Sequence, residues 1–159
     1  MSRPGVVVRR GGVEDAASLA RLRLRWRARD VEPFGAPGFE GALAAWMLAH
    51  RASHVPFLAS LGADDVAMAW LAVVDRVPDP ERVSRRSGYV QSAFVTPEHR
   101  GAGIGTELLA TLIAHAAALE LDYLAVHPSA RSVSLYRRLG FEGTDRVLEL
   151  RPVEAPRRT

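Results

Sequence analysis

Arg100, Gly101, Gly103 and Gly105 stand between a short apolar strand and a long apolar helix, an arrangement suited to holding a phosphate or pyrophosphate. The stretch reads Phe94-Val95-Thr96-Pro97-Glu98-His99-Arg100-Gly101-Ala102-Gly103-Ile104-Gly105-Thr106. Glu107 to Leu121 follow, rich in Ala and Leu, with Leu108, Leu112, Ala116 and Leu119 at helical spacing. A helix start exposes unpaired N–H groups and the positive end of the helix dipole, and glycines just ahead let an anion approach the backbone. Two other pyrophosphate loops do not fit. The glycines are spaced two apart, unlike G-x-G-x-x-G, and the lysine of a P-loop is missing because the chain has no lysine. A plain strand-to-helix turn is the other reading of the same residues.

A second motif lies downstream, Ser129-Ala130-Arg131-Ser132-Val133-Ser134-Leu135-Tyr136-Arg137-Arg138-Leu139-Gly140-Phe141. The first segment, Arg100 to Gly105, resembles the Q/R-x-x-G-x-G/A acetyl-CoA loop of the GCN5-related N-acetyltransferases (GNAT). The second resembles that family's N-x-x-A-x-x-L/F-Y helix ending in G-F. The resemblance covers about Tyr89 to Leu150; the N-terminal half matches only in its pattern of elements. Two departures stand out: Ser129 occupies the usual asparagine position and Ser132 the small-residue position. Ser129 reads best as a helix cap, and Ser132 could face the cofactor.

The resemblance implies acetyl-CoA as cosubstrate, with Arg100, Gly101, Ala102, Gly103, Gly105 and Thr106 around its pyrophosphate. Phe94 and Val95 would pair with the pantetheine arm like a partial extra strand, and a free strand N–H such as that of Val95 would polarise the acetyl carbonyl. Acyl transfer also needs a base for the amine and an acid for the departing thiolate. Tyr136 matches the family tyrosine and is the candidate acid, since a phenol with its ordinary pKa of about 10 is protonated at neutral pH. Without the motif it would read as a packed helix tyrosine. The base is less evident. Tyr89, Gln91 and Ser92 offer no carboxylate. His127 ends the fifth strand and is the candidate, with hydrogen bonding to the loop that follows as its other role. Glu32, Glu40, His50 and His54 have no distinguishing pattern; His50 and His54 are spaced i, i+4, but with no third ligand no metal is expected. His99 and His115 read as surface or packing residues.

These groups require a scaffold. Val6–Arg10 reads as a strand and Glu14–Asp30 as a helix, although Arg21, Arg23, Arg25, Arg27 and Arg29 alternate with apolar residues as in a strand. The acidic start and the stripe Leu19, Leu22, Trp26 favour the helix. Most of these arginines would be solvated, with one or two facing the acceptor to hold a carboxylate or phosphate. A Pro- and Gly-bearing loop over Val31–Phe39 precedes a helix over Glu40–Arg51. Pro56–Leu61 and Val66–Val74 form a hairpin about Gly62-Ala63-Asp64-Asp65. Val77–Ser87 is a polar loop, Gly88–Val95 the fourth strand, Gly103–Leu121 a helix, Tyr123–His127 the fifth strand and Ala130–Leu139 a helix. Phe141–Leu150 supplies a last strand or pair, and 152–159 a loose tail. Trp46 and Trp70 read as core. Phe34 and Phe39 lie on the loop between the first two helices, which the resemblance implies borders the acceptor pocket, and Phe34 and Trp26 are the acceptor-site candidates.

A sheet with helices inserted between its strands makes one α/β or α+β domain. The resemblance sharpens this to a mixed, mostly antiparallel sheet of 6–7 strands with about four helices, strands four and five splayed around acyl-CoA. Residues 1–87 would form the acceptor-side half and 88–150 the acetyl-CoA half. A chain of 159 residues, 48% hydrophobic and 25% charged, suits one such domain. All 21 basic residues are arginine, which explains a pI near 10.1 at a net charge of +3. That charge is too small to argue for nucleic acid, and no apolar run reaches membrane length. The N-terminus leads directly into a strand, so no signal peptide is expected and cytoplasm is the default location. With no cysteine, disulfides and thiol nucleophiles are excluded. The expected activity is acetyl transfer to a primary amine of a small molecule. A protein or peptide N-acetyltransferase and a non-catalytic acyl-CoA-binding domain stay open, as does a homodimer.

Overall fold

The computed structural model describes residues 5–27 and 38–143. The first strand, β1 (Val6–Arg10), turns into helix α1 (Ala16–Arg27) through a single 3-10 turn at Val13–Asp15. Asp15 organises that turn: its carboxylate accepts the Gly12 N–H at 2.9 Å and both Arg9 terminal nitrogens at 2.6 and 2.9 Å. Leu19 and Leu22 are fully buried on one side of α1. This apolar stripe prevails over the arginine alternation because burial of each leucine is worth about 1.5–3 kcal/mol, far more than any strand preference of the flanking polar residues.

Helix α2 (Phe39–Ala49) precedes three long strands, β2 (His54–Leu61), β3 (Asp64–Arg76) and β4 (Arg85–Val95). Helix α3 (Ile104–Ala118), the short strand β5 (Leu124–Val126) and helix α4 (Val133–Arg138) complete the described elements. The sheet runs β1-β2-β3-β4-β5; the first four strands are antiparallel and β4–β5 is parallel. Val66 to Ala72 in β3 are all buried, a continuous run rather than an alternating one, because both faces of the sheet are covered. On one face, Phe57, Val90, Leu108, Leu109, Leu112 and Tyr136 share a core with α3 and α4. On the other, Leu19, Leu22, Leu43, Met47, Trp70 and Phe94 form the core under α1 and α2.

Several expectations change. The described residues hold five strands, against the 6–7 expected. The missing strand or pair was placed at Phe141–Leu150, of which 144–150 lie outside the described residues, as do Phe34, Glu32 and the tail. Trp46 is not core: it is 38% exposed and stacks on His50 at 4.4 Å, with the His54 ring edge-on at 4.8 Å. The loop expected over Val77–Ser87 is shorter, because Asp75 and Arg76 pair with Arg86 and Arg85.

That extension is held from outside the hairpin. Arg76 and Arg82 donate to Asp122 at 2.8 and 2.7 Å, and Arg85 donates to Asp122 at 3.1 Å and also to Asp79. Burial alone would raise the Asp122 carboxyl, but the hydrogen bonds from Arg76 and Arg85 and the charge of Arg82 bring its pKa below the ordinary carboxylate value. A depressed carboxylate stabilises the fold above its unfolded pKa and loses that contribution as pH falls through its folded value. Asp122→Asn is therefore expected to lower Tm at neutral pH and to shrink the Tm difference between variant and parent as pH drops below about 4. Thermal melts across that range check it; a constant Tm difference would remove Asp122 as the cause. Among the described residues, no helix is long and apolar enough to cross a membrane.

Candidate active site

The site begins with an irregularity in β4. Met68 pairs with Phe94 and Trp70 with Gln91, so one residue between them on β3 opposes two on β4, Ser92 and Ala93. Ser92 takes up the mismatch with φ of 51°. A bulge of this kind bends its strand and shifts the alternation of backbone groups by one. The hydrogen bonds show the shift: the Gly88 N–H donates to Tyr123 on the β5 side, whereas the Thr96 N–H donates to Val66 on the β3 side. Even-numbered amides thus change edge across the bulge. The amide and carbonyl of Val95 consequently face away from β3, and Arg100 Nε donates to the Val95 carbonyl at 2.9 Å.

The opposite strand withdraws at the same level. β5 pairs with β4 only at Gly88, Tyr89 and Val90, and its chain then leaves through His127 and Pro128. Between the splayed strands opens a cleft of about 820 Å³.

The glycine loop closes one end. Thr96 is buried; its hydroxyl pairs with His99 Nδ1 at 2.8 Å, and Pro97–His99 form a 3-10 turn. Gly101 and Gly103 have φ of 71° and 83°, left-handed values that an L side chain adopts only with strain. Gly103 caps α3, and its carbonyl accepts the Glu107 N–H at 3.1 Å. The first N–H groups of α3, around Ile104, Gly105 and Thr106, have no intrahelical partner, and Gly105 and Thr106 line the cleft.

Other expected residues fall as follows. Phe94, Val95, Arg100, Gly101, Gly103, Gly105, Thr106 and Ser132 line the cleft, together with Trp26, His127 and Tyr136. Ala102 does not line it; its side chain packs against the α3 core. Arg100 is tied to its own strand, with its guanidinium 5.7 Å above the Phe94 ring. Ser129 does not cap α4, which starts at Val133: Ser129 and Ser132 instead close a turn, their hydroxyls 3.0 Å apart and the Ser132 N–H donating to the Ser129 carbonyl at 2.9 Å.

Tyr136 is the buried end of the cleft, 5% exposed and edge-on to Phe141 at 5.3 Å. Its hydroxyl has no hydrogen-bond partner among the described residues. Burial, with a smaller push from Tyr89, raises its pKa to about 12. A raised phenol stabilises the fold below its unfolded pKa of about 10 and loses that contribution as pH climbs through the folded value. Of the three tyrosines, Tyr136 is expected to ionise last in a tyrosinate absorbance titration, and Tyr136→Phe to remove that late step alone. A wild-type titration with no late step would contradict the burial argument.

The helix-one arginines and Tyr89 were named from the sequence without their partners, and Arg131 and Arg138 were not singled out. The Tyr89 hydroxyl is hydrogen-bonded to His127 Nδ1 across the β4–β5 pair. Arg131 and Arg138 line the cleft beside the second motif. Arg23 of α1 reaches under the sheet to donate to Ser92 Oγ. Arg131 and Arg138 lie within the second motif; the Tyr89–His127 and Arg23–Ser92 pairs bridge 38 and 69 residues and left no local signal.

A cleft between splayed strands, a helix start whose first N–H groups lack intrahelical partners and a buried phenol fit an acyl-CoA site, and comparison with known proteins agrees. No curated protein matches the sequence significantly. Solved structures match its fold over nearly the whole chain. A predicted acetyltransferase from Clostridium acetobutylicum, solved with acetyl-CoA, is 24% identical with a TM-score of 0.75, over 92% of this chain and 96% of that one. A GCN5-related N-acetyltransferase from Ralstonia eutropha JMP134 is 22% identical with a TM-score of 0.72, over 94% and 99%. An aminoglycoside acetyltransferase from an uncultured soil metagenomic sample, in complex with sisomicin, is 14% identical with a TM-score of 0.76, over 95% and 97%. The sequence model of the acetyltransferase (GNAT) family matches residues 21–141, most of the chain. The protein belongs to the acetyltransferase (GNAT) family.

Proposed function

We propose that the protein moves an acetyl group from acetyl-CoA to the primary amine of a small molecule, by direct transfer in a ternary complex. The observation that carries this reading is that the Tyr136 hydroxyl, the outward edge of Val95 and the free start of α3 meet in one cleft. The fold relative solved with sisomicin supports a small acceptor. Residues 88–150 act as the acetyl-CoA half and residues 1–87 as the acceptor side.

The N–H groups at Gly105 and Thr106 hold the pyrophosphate, and the free edge of β4 takes the pantetheine amides as a partial strand. The Val95 N–H donates to the acetyl carbonyl as negative charge develops on its oxygen. In the tautomer that donates Nδ1–H to the Tyr89 oxygen, His127 offers Nε2 to take a proton from the acceptor. The acceptor ammonium first loses a proton; its lone pair then forms the C–N bond as the C–S bond breaks. The thiolate takes the Tyr136 proton, the new amide nitrogen loses its second proton, and solvent restores Tyr136. The balance is one amide, one free thiol and one proton released.

Thiol release from acetyl-CoA over a panel of amines, amino acids, aminoglycosides and peptides tests the reading. The protein has no cysteine and adds no background. Release that depends on a small amine supports it. Release with peptides alone would replace it by the protein-acceptor reading. Tight acetyl-CoA binding with no release from any pool would leave a binding domain.

A further inference from the structure

Most arginines with described polar contacts have an acidic partner. Arg9 has Asp15, Arg25 has Glu98 at 2.6 Å, and Arg76, Arg82 and Arg85 share Asp122. Arg23 differs. It is half-buried, its hydrogen bond goes to the neutral hydroxyl of Ser92, and it has no carboxylate partner among the described residues. Its guanidinium lies 5.7 Å from the centre of the Trp26 ring. Burial, added to repulsion from Arg27 one turn on, lowers its pKa with no acid to offset either. Withdrawing a cation from water without a counter-charge is costly, and this one is held between two residues of the cleft wall, Ser92 and Trp26. One bond to Ser92 leaves most of the guanidinium donors unused.

Arg23 itself stands behind the cleft lining, and the two residues it touches, Ser92 and Trp26, belong to that lining. α1 covers the sheet face opposite α3 and α4, while the cofactor loop and Tyr136 belong to the α3 side. Ser92 is the bulge residue itself, next to the strand edge where the acetyl group is expected. No Asp or Glu lines the cleft among the described residues, so a polycationic amine finds no counter-charge there.

We infer that the acceptor carries an anionic group, a carboxylate or a phosphate ester, which seats on the Arg23 guanidinium while its amine reaches the acetyl carbon. This rests on the acetyltransferase reading above and names its substrate class: amino acids or aminosugar phosphates, not polyamines or aminoglycosides. Arg23 is then a specificity-determining residue, with Ser92 orienting it and Trp26 forming the apolar wall beside it.

The test compares matched pairs: α-amino acids against their amides, and aminosugar phosphates against the free aminosugars. Binding is measured calorimetrically to CoA-saturated protein, and turnover as kcat/KM with acetyl-CoA. The anionic member of a pair is expected to bind about 10- to 100-fold more tightly. Arg23→Gln removes that preference while acetyl-CoA affinity and the neutral member are unaffected; Arg23→Lys keeps part of it, lacking the planar fork. Arg21→Gln, which removes the same charge two residues earlier where the side chain reaches the Asp65 carbonyl instead, keeps it whole. If Arg23→Gln does not fold, the wild-type pairs and Arg23→Lys decide. Equal binding within both pairs, or equal loss for both members in Arg23→Gln or Arg23→Lys, overturns the inference. The amino-acid and phosphate arms tell which anion is used. Selective anion binding without thiol release would sink the transferase reading and leave the anion seat standing; release from neutral amines with no anion preference would do the reverse.

Discussion

Replacing Tyr136 with phenylalanine is expected to lower kcat about 10²- to 10³-fold while leaving acetyl-CoA affinity nearly unchanged. The substitution removes one oxygen from a ring that is otherwise fully packed, 5% exposed and edge-on to Phe141, so the core keeps its shape. The hydroxyl has no structural hydrogen bond to lose among the described residues. On the proposed mechanism, what disappears is the proton offered to the thiolate. Because the phenol pKa stands at about 12, the proton is present at every working pH, and the defect should not be rescued by lowering pH within the stable range. Steady-state kinetics with calorimetric acetyl-CoA binding check this. A loss confined to KM for acetyl-CoA would make Tyr136 a packing residue of the cofactor wall.

Gly103→Val should have the second large effect, on binding rather than on chemistry. Gly103 holds φ of 83° at the cap of α3, and nothing lies within 4 Å of where a Cβ would stand. The obstacle is therefore conformational: a β-branched residue in the left-handed region costs about 1–3 kcal/mol. Relieving that strain turns the first N–H groups of α3 away from the cleft. Acetyl-CoA affinity is expected to fall about 10- to 100-fold, with a correspondingly smaller rise in Tm on adding the cofactor. Gly105→Ala is the contrast, since its Cβ would meet Leu135 and Val95 at 3.5 Å, ordinary contact. If Gly103→Val bound acetyl-CoA as the parent does, the loop would not depend on its left-handed cap.

What could be read from the chain itself was local. Helices α1 and α3 follow from the spacing of Leu19 and Leu22, and of Leu108, Leu112 and Ala116, because 3.6-residue periodicity places those side chains on one buried face. The loop ahead of α3 was legible because left-handed glycines and a helix start are neighbours in sequence, and Tyr136 because its motif spans only a few residues. β4 and β5 were recognised as strands, and their splay was expected only through the family resemblance.

The tertiary structure decided the rest. Alternation along β4 would carry the parity of Gly88 on through Thr96; the bulge at Ser92 reverses it, and a bulge is a relation to β3 rather than a property of β4. That Arg23 of this arginine run reaches a residue of the cleft wall depends on Ser92, 69 residues away. The Tyr89–His127 pair exists because parallel pairing sets Tyr89 beside Ala125, two residues before His127. The extension of the β3–β4 hairpin depends on Asp122, beyond α3. By itself the sequence determined helices α1 and α3, the strands and the glycine turn ahead of α3, since these arise from neighbours along the chain. It could not determine the orientation of the Val95 amide, the partner of His127 or the contact of Arg23 with Ser92, because each arises from contacts between distant segments that only packing brings together.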